Sequence, residues 1–372
     1  MKLKIKRVVL LEALNNVSKA ISTKNIIPIL SGIKFELHRD RLVLTASDND
    51  ITIQTVISKG DNLIIDNTGS IVIKGKYILD IIRKLDSEFI NIEIIDDHKI
   101  IIFTENSEFN LNGIEAREYP DINLDLSPEF ISISIDEFRS MILQTNYACS
   151  LDEARVVLTG VNFKIDGNNL ECSATDSYRL ALRKKLLTNG VNNGIDIIIP
   201  SKNLNELLKL LSSGDDEVIE MHLFSNKVIF KFNDILFQSR LISGTYPNTK
   251  NLIPSDSIFD LKLDCNEFYN MVDRASILNN DTDNNIITME IKNNLLKITS
   301  ISLEIGKVEE KMNVSCDNDI KISFSAKYMM DALRTIKSRN VIITFVGEIK
   351  PILLKNDDSE ELVCLILPIR TY

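Results

Sequence analysis

The chain has 372 residues, of which 44% are hydrophobic and 26% are charged, and its formal net charge is −10. This is a globular composition rather than a disordered one, and the length indicates two or three domains. Taken alone, the negative charge argues against nucleic acid as a partner, because phosphate binding needs basic groups. No apolar run approaches the roughly 18 residues that span a bilayer. Glu12, Asn15 and Asn16 interrupt the apolar start, so we expect a cytoplasmic protein that binds no membrane.

One pattern of elements occurs three times along the chain. It opens with an amphipathic helix, in the stretches LLEALNNVSKAIS, IDEFRSMILQTNYACS and LDCNEFYNMVDRASILN, and alternating strands follow each helix. A short β-branched strand, a Lys and a second amphipathic helix come next. Leu79, Leu204 and Met329 on these second helices are spaced 125 residues apart. Hairpin strands with Asp, Asn or Gly in their turns close each copy.

The repeat predicts an α+β fold of three domains, each with two helices and two small antiparallel sheets. The predicted domains span residues 1–125, 126–250 and 251–372. Because the copies share one plan, we expect their helices to lie on a common side of the molecule.

The second helix of each copy is basic, although the chain as a whole is acidic. Solvated helix faces favour Lys and Arg in any protein, so a single basic helix carries little information. Three of them predict a basic surface on one side of an acidic protein, which attracts a polyanion to that side. Against Asp80, Glu206 and Asp331, these segments hold ten cations: Lys74, Lys76, Arg83, Lys84, Lys202, Lys209, Lys327, Arg334, Lys337 and Arg339.

The motifs of common enzymes and metal sites are missing from the sequence. There is no phosphate-binding loop, dinucleotide fingerprint, nucleophile elbow or zinc-protease motif. The five cysteines are scattered without a C-x-x-C pair, and the three histidines lie far apart. Residues 48–50 and 281–285 resemble fragments of a calcium loop but lack its central Gly and closing Glu, which favours solvated turns. We therefore expect no catalytic residues, no metal and no cofactor.

Four short motifs lie in order along the triplicated chain: IIPIL from residue 26, SATDSYRLAL from residue 173, GTYPNTKNLIP from residue 244 and LILPIRTY from residue 365. Together they resemble the bacterial DNA polymerase sliding clamps, the β subunits of the replicative polymerase. The second motif is similar to the family's T-D-G-H-R-L-A loop, with Ser177 and Tyr178 in place of Gly and His. Asn251 replaces a family Arg, and Thr371 and Tyr372 extend the end of the chain.

The resemblance implies a processivity factor without catalytic activity: a head-to-tail homodimer whose six similar domains close into a ring around duplex DNA. The implied partners are double-stranded DNA, the DNA polymerase III α subunit, the clamp loader, and other replication and repair proteins that carry clamp-binding peptides. DNA would be held by sequence-blind phosphate contacts. Lys24 matches a family position for such contacts, and the helix charges add Lys76, Arg83, Lys84, Lys202 and Lys209.

The resemblance also implies a peptide pocket between the second and third domains, and a dimer seam between the first and third. Partners would insert a short peptide with apolar anchors into the pocket. Carried over to this chain, the pocket residues are Arg155, Leu158, Thr175, Tyr178, Arg179, Leu180, Pro247, Leu252, Tyr328, Leu367, Pro368, Ile369 and Arg370. The seam residues are Phe109 and Leu111 on one side and Ile277, Leu278 and Glu304 on the other; Glu304, Glu309 and Glu310 would face Lys74 or Lys76.

A second hypothesis is a three-domain enzyme or sugar-binding protein with an acidic cleft. The distribution of charge separates the two hypotheses. A clamp needs its basic helices to face one hole, whereas a cleft enzyme gathers carboxylates inside its site.

Overall fold

The structure, a computed structural model, describes residues 1–21, 27–96, 98–211, 218–279, 285–302 and 304–370, without the side chains of residues 192, 193 and 279. By its internal contacts the chain divides into two compact units. Unit 1 holds Met1–Ile135 and Asn205–Leu241, and unit 2 holds Asp136–Leu204 and Ile242–Tyr372. The middle repeat of the sequence therefore contributes to both units.

The described residues form six α-helices, two for each repeat of the sequence. In the first helix, Leu10, Ala13, Leu14 and Val17 are buried, which is the spacing of one helix face. No helix among the described residues is long and apolar enough to cross a membrane. The helices are α1 Arg7–Val17, α2 Gly75–Lys84, α3 Ile135–Thr145, α4 Ser201–Leu208, α5 Cys265–Ser276 and α6 Ala326–Leu333.

All paired strands in the described part of the chain are antiparallel, as the hairpin pattern predicts. The first nine are β1 Lys2–Lys6, β2 Gly32–Leu37, β3 Arg41–Ser47, β4 Ile51–Ser58, β5 Leu63–Asn67, β6 Gly69–Lys74, β7 Phe89–Asp96, β8 Lys99–Phe103 and β9 Glu108–Asn112. The next six are β10 Phe130–Ser134, β11 Gly160–Thr175, β12 Arg179–Pro200, β13 Val218–Leu223, β14 Lys227–Phe232 and β15 Ile235–Arg240. The remaining eight are β16 Phe259–Asp264, β17 Ile286–Lys292, β18 Leu295–Ser302, β19 Gly306–Asn313, β20 Ile320–Ser325, β21 Asn340–Phe345, β22 Ile352–Asn356 and β23 Leu362–Ile366.

Unit 1 contains two sheets and the packed helices α1 and α2. One sheet has the strand order β5-β1-β7-β8-β9, and the other has the order β10-β13-β14-β15-β4-β3-β2-β6. The larger sheet joins two repeats of the sequence, because β15 of the middle repeat pairs with β4 of the first. Their register runs from the pair Ile235 and Thr55 to the pair Ser239 and Ile51.

Unit 2 repeats this arrangement with the sheets β11-β12-β23-β22-β21-β16 and β19-β18-β17-β20. Here β12 of the middle repeat pairs with β23 of the third, from Arg179 opposite Ile366 to Arg183 opposite Leu362. Helices α5 and α6 pack together over a core that includes Phe268. Asp264 fixes the start of α5, because its carboxylate accepts hydrogen bonds from the first backbone N–H groups of the helix.

Strands β9 and β19 each lie at the edge of a sheet. At the same position, the equivalent strands of the other repeats pair with a strand of a neighbouring repeat. Strand β9 takes the place in the first repeat that β15 and β23 take in the second and third, yet it pairs only with β8 among the described strands. Strand β19 takes the place of β4 in the third repeat, and among the same strands it pairs only with β18. A strand edge exposes unpaired N–H and C=O groups that can accept another strand.

The structure predicts that one thiol reacts under native conditions. All five cysteines are free, and four of them are buried, whereas Cys316 is half-buried. Burial raises the pKa of Cys149 to about 12 and also raises the pKa of Cys172 and Cys364, so these groups stay protonated and unreactive near neutral pH. We expect iodoacetamide to label Cys316 alone, as read by mass spectrometry of tryptic peptides.

The variant Cys316→Ser is the control, and it should take up no label until the protein is unfolded in urea. Native labelling of Cys172 or Cys364 at a rate similar to Cys316 would contradict the burial described here.

Candidate functional site

The loop between β11 and β12 is held in one conformation by its own side chains. Asp176 Oδ1 accepts hydrogen bonds from the backbone N–H groups of Tyr178 at 2.9 Å and Arg179 at 3.0 Å. Thr175 Oγ1 accepts from the N–H of Ser177 at 3.1 Å. Ser177 has a φ of +79°, in the left-handed region that favours glycine. The loop therefore keeps a glycine-like backbone although a serine occupies the position.

This loop forms one wall of an open cavity of about 540 Å³ in unit 2. A cavity of this size accommodates a few side chains of a peptide. Its rim carries apolar groups that have no core role, since Leu151 is 97% exposed and Tyr178 is 62% exposed. The lining residues are Cys149, Ser150, Leu151, Asp152, Arg155, Leu158, Asp176, Ser177, Tyr178, Arg179, Lys327 and Tyr328.

Arg179 is the buried centre of the cavity wall, with only 9% of its surface exposed. Its Nε donates to Asp176 Oδ2 at 3.0 Å, its Nη1 to Asp331 Oδ2 at 2.7 Å, and its Nη2 to the carbonyl of Tyr147 at 2.7 Å. Its guanidinium also lies 4.4 Å from the centre of the Tyr328 ring. Because three acceptors hold it, Arg179 shapes the cavity and does not present a free charge to a ligand.

The charge of Arg179 is maintained despite its burial. Burial works against the charged guanidinium, yet the hydrogen bond to Asp331 and the charges of Asp176 and Asp331 hold the pKa of Arg179 above its ordinary value. The site is therefore a buried, paired charge beneath an apolar rim.

The structure brings five of the predicted pocket residues together in this cavity: Arg155, Leu158, Tyr178, Arg179 and Tyr328. Three more, Pro368, Ile369 and Arg370, line a second cavity of about 420 Å³ with residues 321–323, Glu348 and Ile349.

The C-terminal segment makes backbone hydrogen bonds to a residue of each cavity. Leu367 donates its N–H to the carbonyl of Tyr178 at 2.9 Å, and Ile369 donates to the carbonyl of Ser323 at 2.7 Å. The segment is therefore held beside the loop.

The other predicted pocket residues have different positions. Leu180 is buried with Leu353 and Leu365 in an apolar cluster, where its role is packing. Thr175 is buried, and its hydroxyl donates to the carbonyl of Arg179 at 2.5 Å. Pro247 and Leu252 are exposed and line neither of the two cavities.

Sequence reasoning missed Leu151 and Lys327 as cavity residues. Leu151 stands alone between polar residues, so its apolar character gave no periodic signal. Lys327 was identified only as a helix charge. Its position directly before the predicted pocket residue Tyr328, at the start of α6, was the available clue that it lines the cavity.

The predicted DNA-contacting cations that the structure describes are all exposed: Lys76, Arg83, Lys84, Lys202 and Lys209. Arg83 lies 3.6 Å from Asp80, and Lys209 lies 2.7 Å from Glu206, which are exposed ion pairs of small energetic value. Tyr77, which sequence reasoning did not single out, is exposed beside Lys76 on α2. Lys24 lies outside the described residues.

The predicted seam residues lie at the two open edges. Phe109 and Leu111 are on β9, Ile277 and Leu278 follow α5, and Glu304 is exposed before β19. Ile277 is 62% exposed, which is unusual for an isoleucine at the end of a packed helix. Sequence reasoning missed two further exposed isoleucines near this edge, Ile301 in β18 and Ile305 directly before β19.

Two of the predicted seam carboxylates are engaged within the same chain. Glu310 Oε2 accepts from Arg274 Nη2 at 2.7 Å. Lys311 and Lys307 on β19 hold the pKa of Glu309 at about 2. Of the three acidic residues proposed to face Lys74 or Lys76, Glu304 is therefore the better candidate for a pair across the seam.

The buried position of Arg179 predicts that its loss lowers the unfolding free energy far more than the loss of Arg155, another arginine of the same cavity. Arg179→Ala leaves Asp176 and Asp331 without their cation, and removal of one partner from a buried ion pair costs about 3–5 kcal/mol of unfolding free energy. We expect a clear fall in the urea midpoint, measured by circular dichroism.

The matched control is Arg155→Ala, because Arg155 is exposed and its one described hydrogen bond, to Ser177 Oγ, is 3.3 Å long. We expect it to cost no more than about 0.5 kcal/mol. Equal losses for the two variants would show that Arg179 is not the buried centre of the wall.

Comparison with known proteins identifies the family. Residues 1–125, 132–248 and 250–370 match the N-terminal, central and C-terminal domain families of the DNA polymerase III beta subunit. The beta sliding clamp of Staphylococcus epidermidis is 40% identical over the full length of both chains, and that of Staphylococcus aureus is 39% identical. These matches confirm the three repeated clamp domains that the sequence predicts.

Solved structures agree with the sequence comparison. The DNA polymerase sliding clamp from Bacillus subtilis superimposes with a TM-score of 0.96 at 38% identity, covering all of both chains. The beta subunit from DNA polymerase of Streptococcus pyogenes superimposes with a TM-score of 0.95 at 32% identity and the same coverage. The chain belongs to the DNA polymerase III beta subunit family, the sliding clamps that serve as processivity factors of this polymerase.

Proposed function

We propose that two copies of this chain join head to tail into a ring that encircles duplex DNA and tethers the polymerase through a peptide bound at the loop of Tyr178. The ring would slide without reading sequence, and it would need no catalysis, metal or cofactor of its own. The proposed partners are the polymerase III α subunit, the clamp loader, and other replication and repair proteins with clamp-binding peptides. This role places the protein in the cytoplasm with the bacterial chromosome.

The pair of open strand edges is the observation that carries this proposal. Within the chain, backbone pairing joins the first repeat to the middle one and the middle one to the third. The same two positions are open in β9 and β19. Pairing of β9 with β19 of a second copy would extend both sheets and bury Phe109 and Ile277. Two copies have two such junctions, so the assembly closes without leaving an edge.

The exposed cations on the second helices support a DNA-facing surface. Lys and Arg attract phosphates at any sequence, which is what a sliding ring requires. Exposed side chains on helices also keep their hydration, so the contacts stay weak enough to be exchanged as the ring moves. The alternative of an acidic cleft has less support, because Arg155 and Lys327 line the larger cavity together with its carboxylates.

The cavity of unit 2 suits a short peptide with apolar anchors. Leu151 and Tyr178 offer exposed apolar surface, while Arg179 and its partners keep the wall in place before a ligand arrives. A preformed wall lowers the entropic cost of binding. Tethering through such a peptide raises the local concentration of the polymerase at its template, which increases processivity without new chemistry.

The cavity and the C-terminal segment should together bind a clamp-binding peptide. The intact chain should bind a fluorescent pentapeptide of the type Gln-Leu-x-Leu-Phe with micromolar affinity, measured by fluorescence anisotropy. Truncation after Ile366 removes the hydrogen bond of Leu367 to the loop and the residues beyond it. We expect this truncation to abolish measurable binding.

Truncation after Arg370 is the control, because it removes only Thr371 and Tyr372. This shorter chain should keep binding within a few fold of the intact protein. Equal binding by the chain that ends at Ile366 would show that the peptide lies elsewhere.

The exposed cations of the second helices should set the affinity for DNA. The double variant Arg83→Glu with Lys202→Glu should weaken binding to a duplex oligonucleotide at low salt. Each lost phosphate contact should also lower the slope of log K against log salt by about 1. Anisotropy over a range of salt concentrations measures both effects.

A double variant with the same change of net charge, Lys59→Glu with Lys99→Glu, is the control, because these lysines lie in a strand turn and on β8 rather than on the helices. It should bind DNA almost as the wild type does. An equal loss in both variants would mean that net charge, and not the helix surface, governs binding.

A further inference from the structure

Asp331 on α6 is shared between two arginines with different surroundings. Its Oδ2 accepts from the buried Arg179 at 2.7 Å, and its Oδ1 accepts from Arg334 at 3.2 Å. The side chain of Arg334 is 60% exposed, whereas that of Arg179 is 10% exposed. One carboxylate therefore connects the wall of the peptide cavity to a cation on the protein surface.

The connection runs along one face of a single helix. Tyr328, Asp331 and Arg334 are spaced three residues apart, so they lie side by side on the helix surface. Tyr328 lines the cavity, and its ring lies 4.4 Å beneath the guanidinium of Arg179. A change at Arg334 can thus reach the cavity through two direct contacts.

Arg334 also has a second resting partner. Its Nε and Nη2 donate to Tyr269 Oη on α5 at 3.1 and 2.7 Å. The bond to Asp331 is the longest of the three, and Tyr269 continues to hold Arg334 when that bond opens. Because Arg334 is exposed, an anion from solution has access to it.

We propose that Arg334 is a positioning residue that regulates the peptide cavity by sharing the charge of Asp331 with Arg179. When Arg334 is removed from Asp331, by substitution or by a phosphate that draws it away, the carboxylate interacts with Arg179 alone. Arg179 then holds Tyr328, Asp176 and the carbonyl of Tyr147 more firmly, and the peptide meets a more rigid wall. This inference rests on the proposed peptide site and adds a control from outside it.

Arg334 also connects the cavity to the surface proposed to face DNA. Arg334 belongs to the second helix of the third repeat, among the cations that the sequence places toward DNA. A phosphate bound there would tighten the cavity, and a bound peptide would favour phosphate binding by the same factor, because coupling between two sites is reciprocal. Partners would then bind a clamp on DNA more tightly than a clamp in solution.

The test compares single variants with an uncharged pentapeptide, acetyl-Gln-Leu-Ser-Leu-Phe-amide carrying a neutral dye, so that a change of protein charge has little direct effect on binding. Arg334→Gln removes the second cation from Asp331, and we expect its Kd to fall roughly fivefold below that of the wild type, the lower end of the range typical of coupled sites. Arg334→Lys keeps a cation near Asp331 and should restore the wild-type Kd.

Arg339→Gln is the matched control, because it removes the same charge from an exposed arginine that pairs with Asp264 at 3.5 Å, away from Arg179. Its Kd should equal that of the wild type. Equal Kd values for Arg334→Gln and Arg339→Gln, with normal binding by the wild type, would overturn the coupling through Asp331 while leaving the peptide site in place. No binding by the folded wild type would overturn the peptide site and the regulation with it.

Discussion

Backbone pairing between strands of neighbouring repeats is the interaction on which the rest of this structure depends. It joins β4 to β15 in unit 1 and β12 to β23 in unit 2, so that each larger sheet belongs to two repeats. Main-chain hydrogen bonds are indifferent to side-chain identity, which allows repeats of different sequence to use the same junction. The equivalent strand positions in β9 and β19 are open. Among the described strands, these two have no partner for the pairing that their counterparts in the other repeats make.

The cavity of unit 2 depends on the second of these junctions. Strand β12 begins at Arg179, directly after the loop, and its pairing with β23 brings the C-terminal segment beside Tyr178. The buried guanidinium then connects this loop to α6 through Asp331. One junction thus sets the position of the loop, the C-terminal segment and the helix, and the cavity is already formed without a ligand. Arg334 adds an exposed cation at the far side of the same carboxylate, which is where surface charge can influence the cavity.

Much of this could be predicted from the sequence, for reasons that particular residues make plain. The helix spacing of Leu10, Leu14 and Val17 and the equal spacing of Leu79, Leu204 and Met329 predict the helices and the repeats. The fusion of sheets across repeats could not be predicted, because backbone hydrogen bonds have no side-chain signature. The burial of Arg179 could not be predicted from the sequence either, because its acceptors Tyr147 and Asp331 are distant in sequence. Leu151 gave no signal because a single exposed leucine breaks no pattern. The role proposed for Lys24 stays a prediction.

The native mass of the chain, measured by sedimentation equilibrium at micromolar concentration, tests the closed ring most directly. The intact chain should be a dimer and Ile277→Asp should be a monomer, because the aspartate places a charge at the open edge beside β19. Leu186→Asp, at an exposed leucine on β12, should remain a dimer. A folded intact chain that is monomeric, or an Ile277→Asp variant that dimerises as well as the Leu186→Asp control, would contradict the proposal that the open edges close the ring.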